Sequence, residues 1–180
     1  MEATRRPSDW KAPFFAVWTA QAFSLLGSEL VQFALVWWLT ATTGSATVLA
    51  TAALPATLPN ILLGPLAGAC VDRWNRRTVM MAADGVIALA TLLAAILAAL
   101  RLLQPWHIYV VMLIRSVGAN FHWPAMQAST SLMVPKQHLA RIGGLNQGLR
   151  GATSIVAPPI GALLISIVPL QGVLAIDLGT

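Results

Sequence analysis

The sequence predicts an all-α, polytopic membrane protein, and three observations support this fold class. Of the 180 residues, 57% are hydrophobic and only 9% are charged, whereas an average soluble domain carries about 25% charged residues. Several apolar stretches exceed the roughly 20 residues that a helix needs to cross the hydrocarbon core. The basic residues fall mostly in short segments between those stretches. A soluble fold could not cover its surface with so few charges, so a bundle of membrane-spanning helices is expected.

The chain begins with residues 1–12, a polar segment without the pattern of a cleavable signal peptide. The bundle is expected to occupy residues 13–180. Its first helix is predicted over 13–40. The second is predicted over 45–70 and is interrupted by Pro55 and Pro59, because proline removes a backbone donor from a helix.

The remaining helices follow the same apolar pattern. They are predicted over 78–100, 107–127 and 141–168, with an incomplete last helix over 171–180. The fifth contains Pro158 and Pro159. Ten residues reach only about 15 Å at a rise of about 1.5 Å each, so helix 6 cannot span as written. The chain is therefore expected to be the N-terminal six-helix half of a longer protein, or a natural truncation.

The basic residues define an orientation. Eight of the eleven lie on one side of the predicted bundle: Arg5, Arg6, Lys11, Arg73, Arg76, Arg77, Lys136 and Arg141. Positive charge in short loops marks the cytoplasmic side. We therefore expect a multi-pass protein of the cell membrane with a cytoplasmic N-terminus. The same bias accounts for the pI of about 10.7, so no nucleic-acid partner is expected.

The stretch GPLAGACVDRWNRRTVMMAADG, residues 64–85, concentrates charge between helices 2 and 3. Its notable residues are Gly68, Asp72, Arg73, Asn75, Arg76 and Arg77. A topology anchor would explain the arginines but neither the aspartate, nor the glycine four residues before it, nor the shortness of the loop. A further role for this loop is therefore expected.

This stretch resembles the loop 2–3 signature of the major facilitator superfamily, G-x-x-x-[DE]-[RK]-x-G-x-[RK]-[RK]. Asn75 stands where the family usually has glycine, and the basic pair follows it directly. Because asparagine is the next most tolerant residue after glycine for a left-handed turn, the tight hairpin remains feasible there. The form VDRWNRR resembles the branch of macrolide-efflux proteins and siderophore exporters. The resemblance implies a cytoplasmic gate in which this loop bridges the two six-helix halves of a transporter.

Other helices carry weaker matches to the same family. Helix 1 places Glu29 after a Gly-Ser pair, as the opening helix of that exporter branch does. Arg115 matches the arginine of the family's helix 4 signature, although Gly118 comes one residue early. Helix 5, GATSIVAPPIGALL, resembles the antiporter signature through Pro158, Pro159 and Gly161. Two of that signature's glycines are alanines here, so export is favoured and the pliable region of helix 5 is expected at the prolines.

Five ionisable residues lie inside predicted spans: Glu29, Asp84, Arg115, Arg150 and Asp177. Such residues are costly in a membrane and mark function. Helical rise places Glu29, Arg115 and Asp177 about 16, 12 and 10 Å below the outer surface. Glu29 and Asp177 are thus rival partners for Arg115, in a proton-coupling role or as a static pair that fixes packing. Asp84 lies nearer the cytoplasm and is expected to neutralise an arginine such as Arg150.

The aromatic and histidine side chains give weaker indications of function than the charged residues. The tryptophans Trp10, Trp37, Trp38, Trp106 and Trp123 suit interfacial belts, and the alternative for some of them is a place facing a cavity. The three histidines fall in different membrane layers, so no metal site is expected. No phosphate-binding loop or catalytic constellation occurs, so neither an enzyme nor a bound cofactor is expected.

These features together predict a secondary transporter that exports a small amphipathic compound, a drug or a siderophore, in exchange for protons. Its partners would be that compound, protons, the lipid bilayer and the missing C-terminal half. The alternatives are an importer or uniporter on the same fold, and a truncated membrane protein that transports nothing.

Overall fold

The computed structural model describes residues 10–179, and within them the chain is built from helices without a strand. The helices are α1 (Lys11–Thr43), α2 (Ala46–Arg73), α3 (Arg76–Ala99), α4 (Pro105–Met133), α5 (Leu139–Ile167) and α6 (Leu170–Leu178). A short 3₁₀ turn, Lys136–His138, precedes α5. Most of the polar segment 1–12, including Arg5 and Arg6, lies outside the described residues.

Within residues 10–179, four stretches are long and apolar enough to cross a membrane by length and composition. They are α1, α2, α3 and Lys136–Ile167, which contains α5. α4 has 29 residues but carries polar side chains along its length, among them Arg115 and His122. On the outside of the bundle, Ile61 and Ile155 are 73% and 74% exposed, as befits side chains that face lipid. The fold is that of a multi-pass helical membrane protein.

The second helix is continuous, in contrast to the predicted interruption. Pro55, Pro59 and Pro65 all lie inside α2. Membrane helices tolerate internal proline because neighbouring helices supply polar partners for the backbone. Between the first two prolines α4 contacts α2 directly, and Ser116 Oγ donates to the Ala56 carbonyl at 2.8 Å.

The helices pack in a pattern that repeats within the chain. α4 packs mainly on α2 and α3, while α1 packs mainly on α5 and α6. Exchanging α1 with α4, α2 with α5 and α3 with α6 therefore maps one set of contacts onto the other. Inverted three-helix repeats of this kind place their first helices, α1 and α4, beside the substrate path.

An apolar cluster closes one end of the bundle, next to the turn between α1 and α2. Its largest fully buried side chains are Leu35, Leu39, Ile108, Met112 and Leu174. They come from α1, α4 and α6, so the cluster ties both repeats together.

Candidate transport cavity

A cavity of about 390 Å³ lies among α1, α2, α4 and α5. Its wall is unusually polar for a chain of this composition: Ser28, Glu29, Gln32, Asn60, Arg115, Ser116, Asn120, Trp123 and Arg150 all line it. Polar groups at membrane depth are tolerated where they face a cavity or pair with one another. The wall is therefore the candidate functional surface of the bundle.

Arg115 and Asp177 form a buried ion pair at the edge of this cavity. Arg115 Nη1 lies 2.6 Å from Asp177 Oδ2, and the two side chains are only 6% and 7% exposed. Arg115 also donates to Thr91 Oγ1 and, at 3.2 Å, to the Ser28 carbonyl. Ser28 Oγ in turn donates to Asp177 Oδ1 at 3.3 Å. The guanidinium of α4 thus connects α1, α3 and α6, and Asp177 rather than Glu29 is the acid paired with it.

Glu29 lies on the cavity wall with a second arginine, Arg150. The Glu29 carboxylate acts electrostatically on the Arg150 guanidinium. Arg150 Cζ lies 3.7 Å from the centre of the Trp123 ring. Trp123 therefore faces the cavity, and its assignment to an interfacial belt is wrong, because α4 turns this ring towards α5 rather than towards lipid.

Asp84 has a different partner from the predicted arginine. Its Oδ1 atom lies 3.3 Å from His122 Nε2, and its side chain is 57% exposed. The prediction that Asp84 neutralises Arg150 or a loop arginine is wrong, because among the described residues its ion-pair partner within 4 Å is His122. Asp84, His122, Arg150 and Asn146 line a second cavity of about 100 Å³ beside the first.

Two contacts set the register between α3 and α4. Thr91 meets Arg115, and Asp84 meets His122. Asp84 and Thr91 are seven residues apart on α3, and Arg115 and His122 are seven residues apart on α4. Seven residues make about two helical turns, so both contacts lie on the same face of each helix. Sequence reasoning missed Thr91 and His122 as site residues. The sequence did contain a signal for them, because Thr91 follows Asp84 and His122 follows Arg115 by the same seven residues.

The loop between α2 and α3 consists of Trp74 and Asn75. Asn75 has φ −67° and ψ 114°, so this tight connection forms without a left-handed residue at that position. Its side chain instead caps α3, accepting hydrogen bonds from the backbone N–H groups of Arg77 at 3.0 Å and Thr78 at 3.4 Å. Asparagine is among the preferred residues for this capping position, which explains its place here without glycine-like backbone.

The other loop residues divide into an anchor and an exposed group. Arg76 Nη1 donates to the Ala128 carbonyl at 3.1 Å and fastens the start of α3 to α4. Asp72, Arg73 and Arg77 are exposed. A Cβ atom added to Gly68 would meet nothing within 4 Å among the described residues, so packing inside this bundle does not require glycine at that position.

The helix 5 residues are placed on two sides of α5. Pro158 and Pro159 are exposed, and the helix continues through them. Gly161 is buried against α1, where an added Cβ would lie 2.6 Å from Phe33 Cδ1. Small residues let membrane helices approach closely, so Gly161 is a packing contact between α5 and α1. The pliability of the proline region stays a prediction.

Long apolar helices around a polar cavity with a buried ion pair define a multi-pass membrane protein of the transporter class. A model of the transmembrane secretion effector family, within the major facilitator superfamily, matches residues 9–178. The chain belongs to this family, whose members are transporters rather than enzymes.

Several curated relatives are similar to the chain. Macrolide efflux protein A of Streptococcus pyogenes is 41% identical over 170 residues, which cover 94% of this chain and 42% of that protein. Macrolide efflux protein A of Enterococcus faecalis is 40% identical over 134 residues, or 74% of this chain and 41% of that protein. The uncharacterized MFS-type transporter YfiS of Bacillus subtilis is 25% identical over 122 residues, or 68% and 28%. The chain thus spans less than half the length of these relatives. No solved structure matches it.

Proposed function

We propose that the chain forms the N-terminal half of a secondary transporter that exports a small amphipathic drug or siderophore by alternating access, in exchange for protons. Its membrane would be the cell membrane, with the N-terminus in the cytoplasm. The family, the names of the relatives and the polar cavity between the two repeats support export. The exporter-like helix 5 agrees with this direction.

The buried pair of Arg115 and Asp177 carries the proposal of proton coupling. A carboxylate can exchange a proton, while an arginine beside it stays charged. Protonation of Asp177 would remove the attraction that holds Arg115 between α1, α3 and α6. Since α1 and α6 belong to different repeats, loss of that attraction would change how the repeats pack. Binding of a proton and movement of the helices would then be linked.

Glu29 has a separate role in this proposal. It lines the cavity without being the ion-pair partner of Arg115. A carboxylate on a cavity wall can bind a substrate group directly. Glu29 is therefore proposed as a substrate-facing acid and Asp177 as the coupling acid.

The exposed loop residues support a gate at the proposed cytoplasmic end. Asp72, Arg73 and Arg77 make no ion pair within residues 10–179. Their charges are available to a second six-helix half, the expected partner of this bundle. Such contacts would hold the cytoplasmic side closed and would break when it opens.

Efflux measurements on the complete transporter test the proposal. Everted vesicles with an imposed pH gradient would receive a panel of dyes and macrolides on the outside, and uptake into the vesicles would be compared between wild type and Asp177→Asn, Arg115→Ala and Asp72→Asn. Lys136→Gln, at an exposed position, is the control for the loss of a surface charge. We expect gradient-driven transport in wild type and control, and at least a tenfold loss in the three variants at equal membrane content.

Two outcomes would contradict the proposal. Transport that ignores the pH gradient and survives Asp177→Asn would indicate a uniporter. Accumulation in the opposite direction would indicate an importer on the same fold.

A further inference from the structure

We propose that the face of Trp123, together with the Glu29 carboxylate, binds the cationic group of the transported compound, and that Arg150 competes for this same place. The inference rests on the proposed function and deepens it, because it names the substrate class. That class is an amphipathic organic monocation, such as a protonated tertiary amine on a large apolar body.

The first argument is the position of Arg150. Its Cζ atom lies 3.7 Å from the centre of the Trp123 ring, the geometry by which the negative face of an indole attracts a cation. Both side chains line the polar cavity of about 390 Å³. The ring face is thus shown to accept a cation at a point that an incoming compound can also reach.

The second argument compares the two arginines of the cavity. Arg115 is fixed by an ion pair and further hydrogen bonds, and it is buried. Arg150 is exposed, and within residues 10–179 no carboxylate lies within 4 Å of it. Arg150 is kept in place by its cation–π contact with the Trp123 ring and by the longer-range attraction of the Glu29 carboxylate. A cation of the compound can replace a group held in this way.

The third argument is the charge on the wall. Asp177 neutralises Arg115, and among the described residues that line the polar cavity Glu29 is the one acidic residue. An arriving cation would find an aromatic face and a carboxylate together. Arg150 also lines the neighbouring cavity that contains Asp84, so a second acidic environment lies within its reach when it leaves the ring.

Equilibrium binding to the complete protein in lipid nanodiscs tests the inference. The probes are tetraphenylphosphonium and tetraphenylborate, which share one shape and differ in the sign of their charge. We expect wild type to bind the cation and to bind the anion at least tenfold more weakly. Trp123→Leu and Glu29→Gln should each weaken cation binding about tenfold, and Trp123→Phe should retain part of it, because phenyl rings also attract cations.

The decisive variant is Arg150→Gln, which should strengthen cation binding by about five- to tenfold. Arg141→Gln is its matched control, because it removes an exposed arginine from the same helix, nine residues away. The gain from Arg150→Gln should vanish in the Trp123→Leu background, since the two groups act at one place. A gain that persists there would reflect a general change in charge and would overturn the competition.

Other results would overturn the inference outright. Cation binding that is unchanged or weaker in Arg150→Gln contradicts it, as does tighter binding of tetraphenylborate that is lost in that variant. Failure of the proposed function is distinguishable, because it would leave wild type without gradient-driven export even where the cation binds. Failure of the inference would leave export intact, and the affinity for the cation would be unchanged by substitution of Trp123 or Arg150.

Discussion

Arg115 Nη1 lies 2.6 Å from Asp177 Oδ2, and this contact joins α4 to the end of α6. Both side chains are almost completely buried. Two charges in such surroundings stabilise the fold only as a pair, because either one alone carries an uncompensated desolvation cost. The following prediction depends on that coupling.

Removal of either partner should destabilise the bundle. Arg115→Ala and Asp177→Asn are each expected to lower the free energy of unfolding, Arg115→Ala by about 3–5 kcal/mol because it leaves a buried carboxylate. The double variant Arg115→Ala with Asp177→Asn should recover part of that loss, since it removes both charges. Thermal unfolding of the purified protein in detergent measures this. A double variant as unstable as the sum of the singles would contradict the coupling.

Gly161 should tolerate no side chain while Phe33 keeps its position. An added Cβ would lie 2.6 Å from Phe33 Cδ1, so Gly161→Ala should cost about 1–3 kcal/mol, as overpacking does. Gly148→Ala on the same helix is the control, because nothing lies within 4 Å of its added Cβ. Melting temperatures measure both. The penalty should shrink in a Phe33→Leu background, and a penalty that stays the same there would exclude this contact as its cause.

Asn75 should behave as a helix cap. Asn75→Ala is expected to cost about 1 kcal/mol, and Asn75→Asp should be nearly neutral, because aspartate caps equally well. Asn75→Gly should cost only a few tenths of a kcal/mol. Denaturation of the three variants decides the matter. Clear stabilisation by glycine would instead favour a left-handed backbone at this position, in conflict with its φ of −67°.

The register between α3 and α4 can be tested by cross-linking. Cysteines that replace Asp84 and His122, whose side-chain tips are 3.3 Å apart, should be joined readily by a short bismaleimide, because the two long side chains bridge a backbone separation that a direct disulfide does not span. The background carries Cys70→Ser, which removes the native cysteine. A pair at Asp84 and Asn120 is the control, because Asn120 lies on another face of α4. Mobility on non-reducing gels reports the product, and equal yields from both pairs would contradict the register.

Much of the fold could be predicted because membrane insertion imposes strong rules on sequence. Long apolar runs defined the helices, and the scarcity of charge excluded a soluble fold. The high cost of a charge in hydrocarbon singled out Arg115 and Asp177 before any contact was known. The continuity of α2 was not predictable from proline alone, because it depends on the packing of α2 against α4.

Helical rise gives the depth of a residue along its own helix but neither the direction of its side chain nor the helix beside it. Sequence alone therefore placed Glu29, Arg115 and Asp177 at similar depths, but it could not choose which acid pairs with Arg115. The tertiary structure decided this by packing α6 against α1 and α3, which brings Asp177 to the guanidinium. It likewise turned Trp123 towards Arg150 and His122 towards Asp84. The sequence determined which residues had to be functional or paired, and the packing of the helices decided their partners.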